Sequence, residues 1–151
     1  MALLIFNDVL GIEMGMVRYL WLLLLSTTLW AEAIVVAVNP LCPIDRLSQQ
    51  TILALYLDKR RTLEGHRVVL LNLALDHPLR RLFEEKVLRK SREELERYWL
   101  RAHFKGHQPP KVVKSQEAAA RFLEKIPYAI GYMEASVAKK HQLKILYRWV
   151  P

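Results

Sequence analysis

The sequence contains a single cysteine, Cys42, among 151 residues, so no disulfide can form within the chain. The fold must therefore be held together by its apolar core, and a chain of this length can build one. Glycine is also scarce, at five residues, and no glycine-rich phosphate loop occurs. Because a nucleophile elbow and a suitably flanked pair of catalytic carboxylates are lacking too, we expect no enzymatic activity.

Metal-site spacing is also missing, although the chain has five histidines. His103 and His107 lie four residues apart, but Gly106 interrupts the helix that would bring them to one face. No cysteine or acidic pair completes a ligand set around them. We expect neither a metal ion nor an organic cofactor.

Only one long apolar run occurs, YLWLLLLSTTLW at residues 19–30, and it is shorter than the roughly 20 residues of a membrane span. Residues 31–33, Ala-Glu-Ala, follow it with the small-x-small pattern of a signal-peptidase site. The first fifteen residues carry two acids and no basic residue, whereas Arg18 directly precedes the run. We therefore predict an export signal over residues 1–33, with translation starting at Met14 or Met16, and a periplasmic location. An uncleaved membrane anchor is the alternative.

Acidic residues are few beyond the predicted export signal. The chain has 23 Lys and Arg against 15 Asp and Glu, and residues 1–33 hold one of the former and three of the latter. The remainder carries 22 basic and 12 acidic residues, a net charge of +10. In an exported protein this surplus favours small anions, anionic lipid headgroups or acidic partners, and not nucleic acid.

From residue 34 onward, segments typical of strands alternate with segments typical of helices. Strands are expected at residues 34–39, 67–73, 111–114, 128–133 and 143–150, and helices after Ser48, from Pro78 to about Lys90, from Ser91 and from Ser115. This alternation predicts one α/β domain over residues 34–151, with a mainly parallel sheet flanked by helices. Ligands of such sheets bind beyond the carboxyl ends of the strands.

The stretch NLALDHPLRRLF, residues 72–83, is the clearest candidate site at such an end. A strand stops there and a helix begins, so free N–H groups of the helix would attract an anion. A simpler interpretation makes Asp76 the N-cap and places Pro78 in the first helical turn. Asn39 ends the first strand and is expected at the same sheet edge, where it would bind a ligand or satisfy the loop begun by Pro40. The candidate ligand-binding residues are Asn39, Asp76, His77, Arg80 and Arg81.

Four stretches together resemble the phosphate-binding proteins of bacterial ABC transporters, and especially short, single-lobe exported proteins related to them. The stretches are VVAVNPLCPIDRLSQQTILALYLDKRRTL (35–63), RVVLLNLALDHPLRRLFEEKVL (67–88), YWLRAHFKGHQPPKVVKSQEAAARFLEKIPYAIGYM (98–133) and LKIL (143–146). The resemblance implies one lobe of a periplasmic-binding-protein fold. It further implies phosphate or another small anion as ligand, and a membrane or periplasmic protein as partner.

The sequence departs from this family at the ligand-facing turn. Phosphate binders of the family place a Ser-Gly-Thr type turn at the start of the ligand-facing helix, whereas this chain has Asp76, His77 and Pro78. Proline supplies no N–H, and an ionised Asp76 would repel a dianion. Residues 34–151 also suffice for one lobe only. The expected function is a non-catalytic binding module with weak or lost anion binding, and the alternative is a structural or signalling interaction domain.

Overall fold

The structure, a computed structural model, describes residues 32–151. The predicted export signal, with its alternative starts at Met14 and Met16, lies almost wholly outside the described residues. Within them, no helix is both long and apolar enough to cross a bilayer.

A five-stranded sheet with the strand order β5-β4-β6-β1-β7 forms the centre of the fold. Its strands are β1 (Ile34–Val38), β4 (Val69–Leu73), β5 (Lys111–Val113), β6 (Ala129–Glu134) and β7 (Lys144–Trp149), and β2 (Thr62–Leu63) pairs with β3 (His66–Arg67) in a separate hairpin. Strand β4 is parallel to β5 and β6, whereas β1 is antiparallel to both β6 and β7. Four strands of the sheet therefore run in one direction and only β1 runs in the other, which confirms the mainly parallel sheet.

Five helices flank the sheet in the described residues: α1 (Gln49–Tyr56), α2 (Pro78–Lys86), α3 (Arg92–His103), α4 (Gln116–Lys125) and α5 (Ala135–Lys140). The predicted caps are confirmed for three of them, because the side chains of Ser48, Ser91 and Ser115 accept from amide groups of the first turn. Helix α2 ends four residues earlier than predicted. Arg89 has a positive φ of 52°, a left-handed conformation that an α-helix cannot contain.

Two elements were not predicted, the β2–β3 hairpin and the short helix α5. The hairpin is closed by Glu64 and Gly65, both with positive φ, of 47° and 81°. Such turns suit glycine at the second position, but the strands on either side are only two residues long and leave no alternating pattern. Helix α5 is six residues long, too short for a periodic signal.

The core consists of two clusters on opposite faces of the sheet. Residues 34, 36 and 38 of β1 pack into the cluster that holds α1 and α2, and residues 35 and 37 pack into the cluster that holds α4 and α5. All five β1 residues are buried for this reason, and the strand reads as a continuous apolar run. Helices therefore cover both faces of the sheet. The carboxyl end of β4 is connected to the start of α2 by residues 74–77.

Candidate functional site

The N-terminus of α2 is capped by the chain itself. His77 Nδ1 accepts from the Leu79 N–H at 3.1 Å, and the Arg80 N–H donates to the His77 carbonyl at 3.0 Å. Pro78, the first residue of the helix, has no N–H to offer. The amide groups of this turn are therefore used within the chain and do not form a ready cradle for an anion.

The prediction that Asp76 is the N-cap is wrong, because His77 occupies that position. A residue before proline is pushed into the extended region, which is also the conformation of an N-cap. His77 has φ −71° and ψ 126°, as this restriction requires. Because Pro78 is the first helical residue, the N-cap is His77, one residue later than Asp76. The Asp76 side chain is exposed.

Arg80 does not lie free at the rim of the sheet. Its Nε donates to Glu84 Oε1 at 2.7 Å, and its Nη1 donates to the carbonyl of Leu73, the last residue of β4, at 2.9 Å. The side chain is only 17% exposed. The Arg80 guanidinium group is therefore hydrogen-bonded to the end of β4 and to Glu84, both within the same chain.

Glu84 is the centre of a charged cluster that also includes Arg92 of α3. Its side chain is 5% exposed, and its Oε2 accepts from Arg92 Nη2 at 3.3 Å. Arg92 Nη1 also donates to the carbonyl of Leu75 at 2.8 Å. Two guanidinium groups at the carboxyl end of β4 thus flank one carboxylate. The space between them is filled by Glu84, and we call this arrangement the Arg80–Glu84–Arg92 cluster.

Arg81 lies on the outer side of the same helix. Its side chain is 77% exposed, and its Nε donates to Glu85 Oε1 at 3.0 Å. Together with Asp76 and His77 it lines an open cleft of about 550 Å³. The cleft is lined by four carboxylates, those of Asp76, Glu84, Glu85 and Glu93, and by two guanidinium groups, those of Arg81 and Arg92. Its charge therefore opposes the binding of a dianion.

A second cleft, of about 390 Å³, opens beside the cluster and is mainly apolar. Leu75, Trp99 and Leu100 line it, and Leu75 and Leu100 are 54% and 68% exposed. Arg80, Glu84, Arg92 and Glu96 supply its charged lining. This cleft offers apolar contact beside a salt bridge that is already formed.

Two polar side chains that the sequence analysis did not single out hold the carboxyl end of β4. The Tyr132 hydroxyl donates to Asn72 Oδ1 and accepts from the Leu73 N–H. Burial raises the pKa of the Tyr132 hydroxyl well above its usual value, so this group stays neutral. Both residues stabilise the strand end and do not present a charge to a ligand.

Asn39 lies at the other end of the sheet, and its predicted position is wrong. Because β1 runs against the other strands, its carboxyl end pairs with the beginning of β6, where Val38 is opposite Ile130. The buried Asn39 amide donates to the carbonyls of Leu123 and Glu124 at 2.9 and 2.8 Å, and its Oδ1 accepts from the Leu41 N–H at 2.8 Å. The side chain ties the loop after β1 to the end of α4, far from the start of α2.

Sequence reasoning missed Glu84 and Arg92, for different reasons. The spacing of Arg80 and Glu84, four residues on one helix, is a signal that could have identified their pair. Arg92 belongs to another helix, so only the packing of α2 against α3 reveals its contact with Glu84.

The remaining expectation concerns metal binding. Among residues 32–151, no three His, Cys, Asp or Glu side chains are grouped as a metal site would require. Near the end of α3, Tyr98 and Trp99 pack edge to face, whereas Phe104 is 85% exposed.

Solved structures with a similar fold include phosphate-binding proteins of ABC transporters. An ABC-type phosphate transport receptor from Vibrio cholerae aligns with a TM-score of 0.61 and 14% identity, over 76% of this chain and 45% of the receptor. A protein from Clostridium perfringens, described as a phosphate ABC transporter substrate-binding protein with bound phosphate, gives 0.62 and 14%, over 78% and 46%. PstS from Borrelia burgdorferi gives 0.59 and 17%, over 76% and 46%.

These comparisons confirm the resemblance at the level of the fold. The chain spans less than half the length of each solved structure named, as a single lobe would. No protein-family model matches the sequence. No curated protein matches it either.

Proposed function

We propose that this chain is an exported, non-catalytic module of the substrate-binding-protein type whose own carboxylate replaces the anionic ligand at the start of α2. The observation that carries the proposal is the position of Glu84, 2.7 Å from Arg80 and 3.3 Å from Arg92. Phosphate would have to displace this carboxylate and would meet no free amide group in the first turn of α2. Binding of orthophosphate is therefore weak.

The energetics support weak binding. A helix N-terminus contributes roughly half a positive charge, and Arg81 contributes an exposed, mobile one. In water each such pair is worth about 1 kcal/mol or less. We expect a dissociation constant no better than about millimolar, which corresponds to about 4 kcal/mol.

Titration calorimetry of the purified protein with orthophosphate, at low and at physiological salt, tests this affinity. Weak binding that fades with salt is the expected result. A micromolar constant that does not change with salt would show that the protein is a phosphate binder in its own right. Sizing with and without phosphate would reveal whether two copies close on the ligand.

Substitution of Glu84 tests whether its carboxylate is the cause of the weak orthophosphate binding. In Glu84→Gln, the two guanidinium groups lose their internal anion, so orthophosphate should bind about tenfold more tightly than to the parent protein. Glu85→Gln is the matched control, because Glu85 lies on the same helix and pairs with the exposed Arg81. Equal affinities for the two variants would mean that Glu84 does not compete with phosphate.

A second candidate function is a periplasmic structural or signalling interaction domain that has lost ligand binding. The apolar cleft with its exposed Leu75 and Leu100 favours it, because a protein partner can bury such side chains. If Glu84→Gln also fails to bind orthophosphate, this candidate is preferred.

Export is the remaining part of the proposal. The apolar run at residues 19–30 and the Ala-Glu-Ala that follows support a cleaved signal, with residues 34–151 as the mature domain. N-terminal sequencing of the precursor and of the exported protein tests both ends of the signal. A precursor that begins at Ala2 or Leu3 would reject the start at Met14 or Met16, and an exported protein that keeps residues 19–30 would indicate a membrane anchor.

A further inference from the structure

A basic cleft lies at the opposite end of the sheet from α2. Its volume is about 410 Å³, within the range of small-ligand sites. It is bounded by the turn after α1, by the beginnings of β4 and β5, and by the loop that follows α3. Its cationic lining consists of Arg60, Arg61, Arg67 and Lys111, and its only carboxylate is that of Asp58.

Asp58 does not neutralise this cleft, because its carboxylate is already engaged. It forms a two-bond pair with Arg61, at 2.8 and 2.7 Å, and Oδ2 accepts from the Gln108 N–H at 3.0 Å. The other three cations, Arg60, Arg67 and Lys111, form no ion pair with any carboxylate of residues 32–151. The cleft therefore keeps a surplus of three positive charges.

The backbone segments that carry these cations are held by strand pairing and by side-chain hydrogen bonds. Arg67 lies in the β2–β3 hairpin, directly opposite Thr62, and Lys111 is paired in the sheet with Leu71. Arg61 donates through Nη2 to the carbonyl of Gly106 at 3.2 Å, which ties the turn after α1 to the loop after α3. Arg60 donates through Nε to the Thr62 carbonyl. Like charges on neighbouring segments repel one another, and an anion that contacts several of them relieves this repulsion.

We infer that this cleft binds a polyanion with two or more linked phosphate groups. Three of its four cations are arginines, whose planar forks match phosphate oxygens with two bonds each. A single orthophosphate dianion carries too little charge to balance the surplus of three, whereas linked phosphates carry enough. The linked phosphates come either from a soluble oligophosphate or from the headgroup of an anionic phospholipid, and the chemistry of recognition is the same.

The inference is independent of the weak orthophosphate site proposed at α2, because the basic cleft contains neither a residue of the Arg80–Glu84–Arg92 cluster nor one of the cleft lined by Asp76 and His77. Loss of one therefore leaves the other in place. Binding through exposed arginines and a lysine should be strongly salt-dependent, since these charges are screened within about 10 Å at 0.1 M salt.

The test uses inorganic tripolyphosphate as the soluble probe and the double substitution Arg67→Gln with Lys111→Gln. Calorimetry at low salt should give one tripolyphosphate per protein, bound more tightly than orthophosphate, and the double variant should lose about tenfold or more in affinity. Arg89→Gln with Lys125→Gln is the control, because it removes the same charge from exposed positions outside the cleft. Thermal unfolding of each variant shows that it remains folded.

Vesicles distinguish the source of the phosphates. If the parent protein sediments with vesicles containing a phosphoinositide bisphosphate but not with neutral phosphatidylcholine vesicles, and the cleft variant does not, the ligand is a lipid headgroup. If tripolyphosphate binds and vesicles do not, it is a soluble oligophosphate. Equal losses in the cleft variant and the control, or binding of neither probe, would overturn the inference.

Discussion

The carboxylate of Glu84 lies 2.7 Å from the guanidinium group of Arg80, in a position where only 5% of the Glu84 side chain is exposed. Arg92 approaches the other carboxylate oxygen from the next helix. The charged groups at the end of β4 are thus compensated by the chain itself. This arrangement explains how a fold shared with phosphate-binding proteins can keep arginines beside α2 without leaving them free for phosphate.

Glu84→Gln should lower the free energy of unfolding by about 2–4 kcal/mol, because it leaves two partly buried guanidinium groups without their counter-charge. The value lies below that of a fully buried pair, since the Arg92 side chain is 31% exposed. Glu85→Gln removes an exposed pair from the same helix and should cost less than about 1 kcal/mol. Urea unfolding measures both, and similar losses would contradict the central position of Glu84.

His77→Ala should destabilise the protein by about 0.5–2 kcal/mol, the usual cost of removing an N-cap side chain. The Leu79 N–H loses its only side-chain acceptor in this variant. Asp76→Ala serves as the control and should leave stability nearly unchanged, because Asp76 is exposed and does not cap the helix. If thermal unfolding ranks the two variants in the opposite order, the cap belongs to Asp76 after all.

The helix boundaries could be predicted wherever their signals are local. Ser48, Ser91 and Ser115 are caps because a serine side chain reaches an amide group of its own first turn. At Asp76 and His77, two neighbouring side chains were both suitable, and the restriction that Pro78 places on the residue before it decided between them. That rule was available from the sequence and would have given the right residue.

The direction of β1 could not be predicted in this way. A buried run such as IVVAV fits a central strand of either direction, because both faces are covered in each case. Only the pairing of β1 with β6 and β7 shows that it is antiparallel, and this pairing moves Asn39 to the far end of the sheet. The expectation that Asn39 lies beside α2 was wrong for this reason.

Asn39→Ala should lower the free energy of unfolding by about 2–3 kcal/mol, because it leaves two carbonyls at the end of α4 and the Leu41 N–H without partners. Asn39→Asp should be worse at neutral pH, since it turns a carboxylate towards the carbonyls of Leu123 and Glu124. Neither variant should change orthophosphate affinity in a calorimetric titration. A loss of affinity in a variant that stays folded would return Asn39 to the ligand site.

The last prediction concerns His141, which joins α5 to α4. Its Nε2 lies 2.6 Å from Glu117 Oε2 and its Nδ1 lies 2.6 Å from Glu124 Oε1. Both ring nitrogens can donate only when the imidazole is protonated. The hydrogen bonds with Glu117 and then Glu124 raise the pKa of His141, although burial opposes them. The hydrogen bonds of Glu117 with His141 and Lys140 lower the pKa of Glu117.

The signs of these shifts define a pH window. The contribution of His141 is fully present below its unfolded pKa of about 6.5 and is lost as the pH rises through its higher folded pKa. The contribution of Glu117 is present above its unfolded pKa of about 4.3 and is lost as the pH falls through its lower folded pKa. Stability from this contact should therefore be greatest in mildly acidic solution, at about pH 5–6.

His141→Gln should remove the part of the decline in stability above about pH 6.5 that His141 causes, because glutamine does not titrate. Its cost should be largest near pH 6 and should shrink towards alkaline pH, where the parent imidazole is neutral as well. His103→Gln is the control, since His103 is an exposed imidazole on another helix. Urea unfolding of the three proteins at several pH values measures the difference. If the parent and His141→Gln lose stability with the same slope, the contact with Glu117 and Glu124 does not depend on the charge of His141.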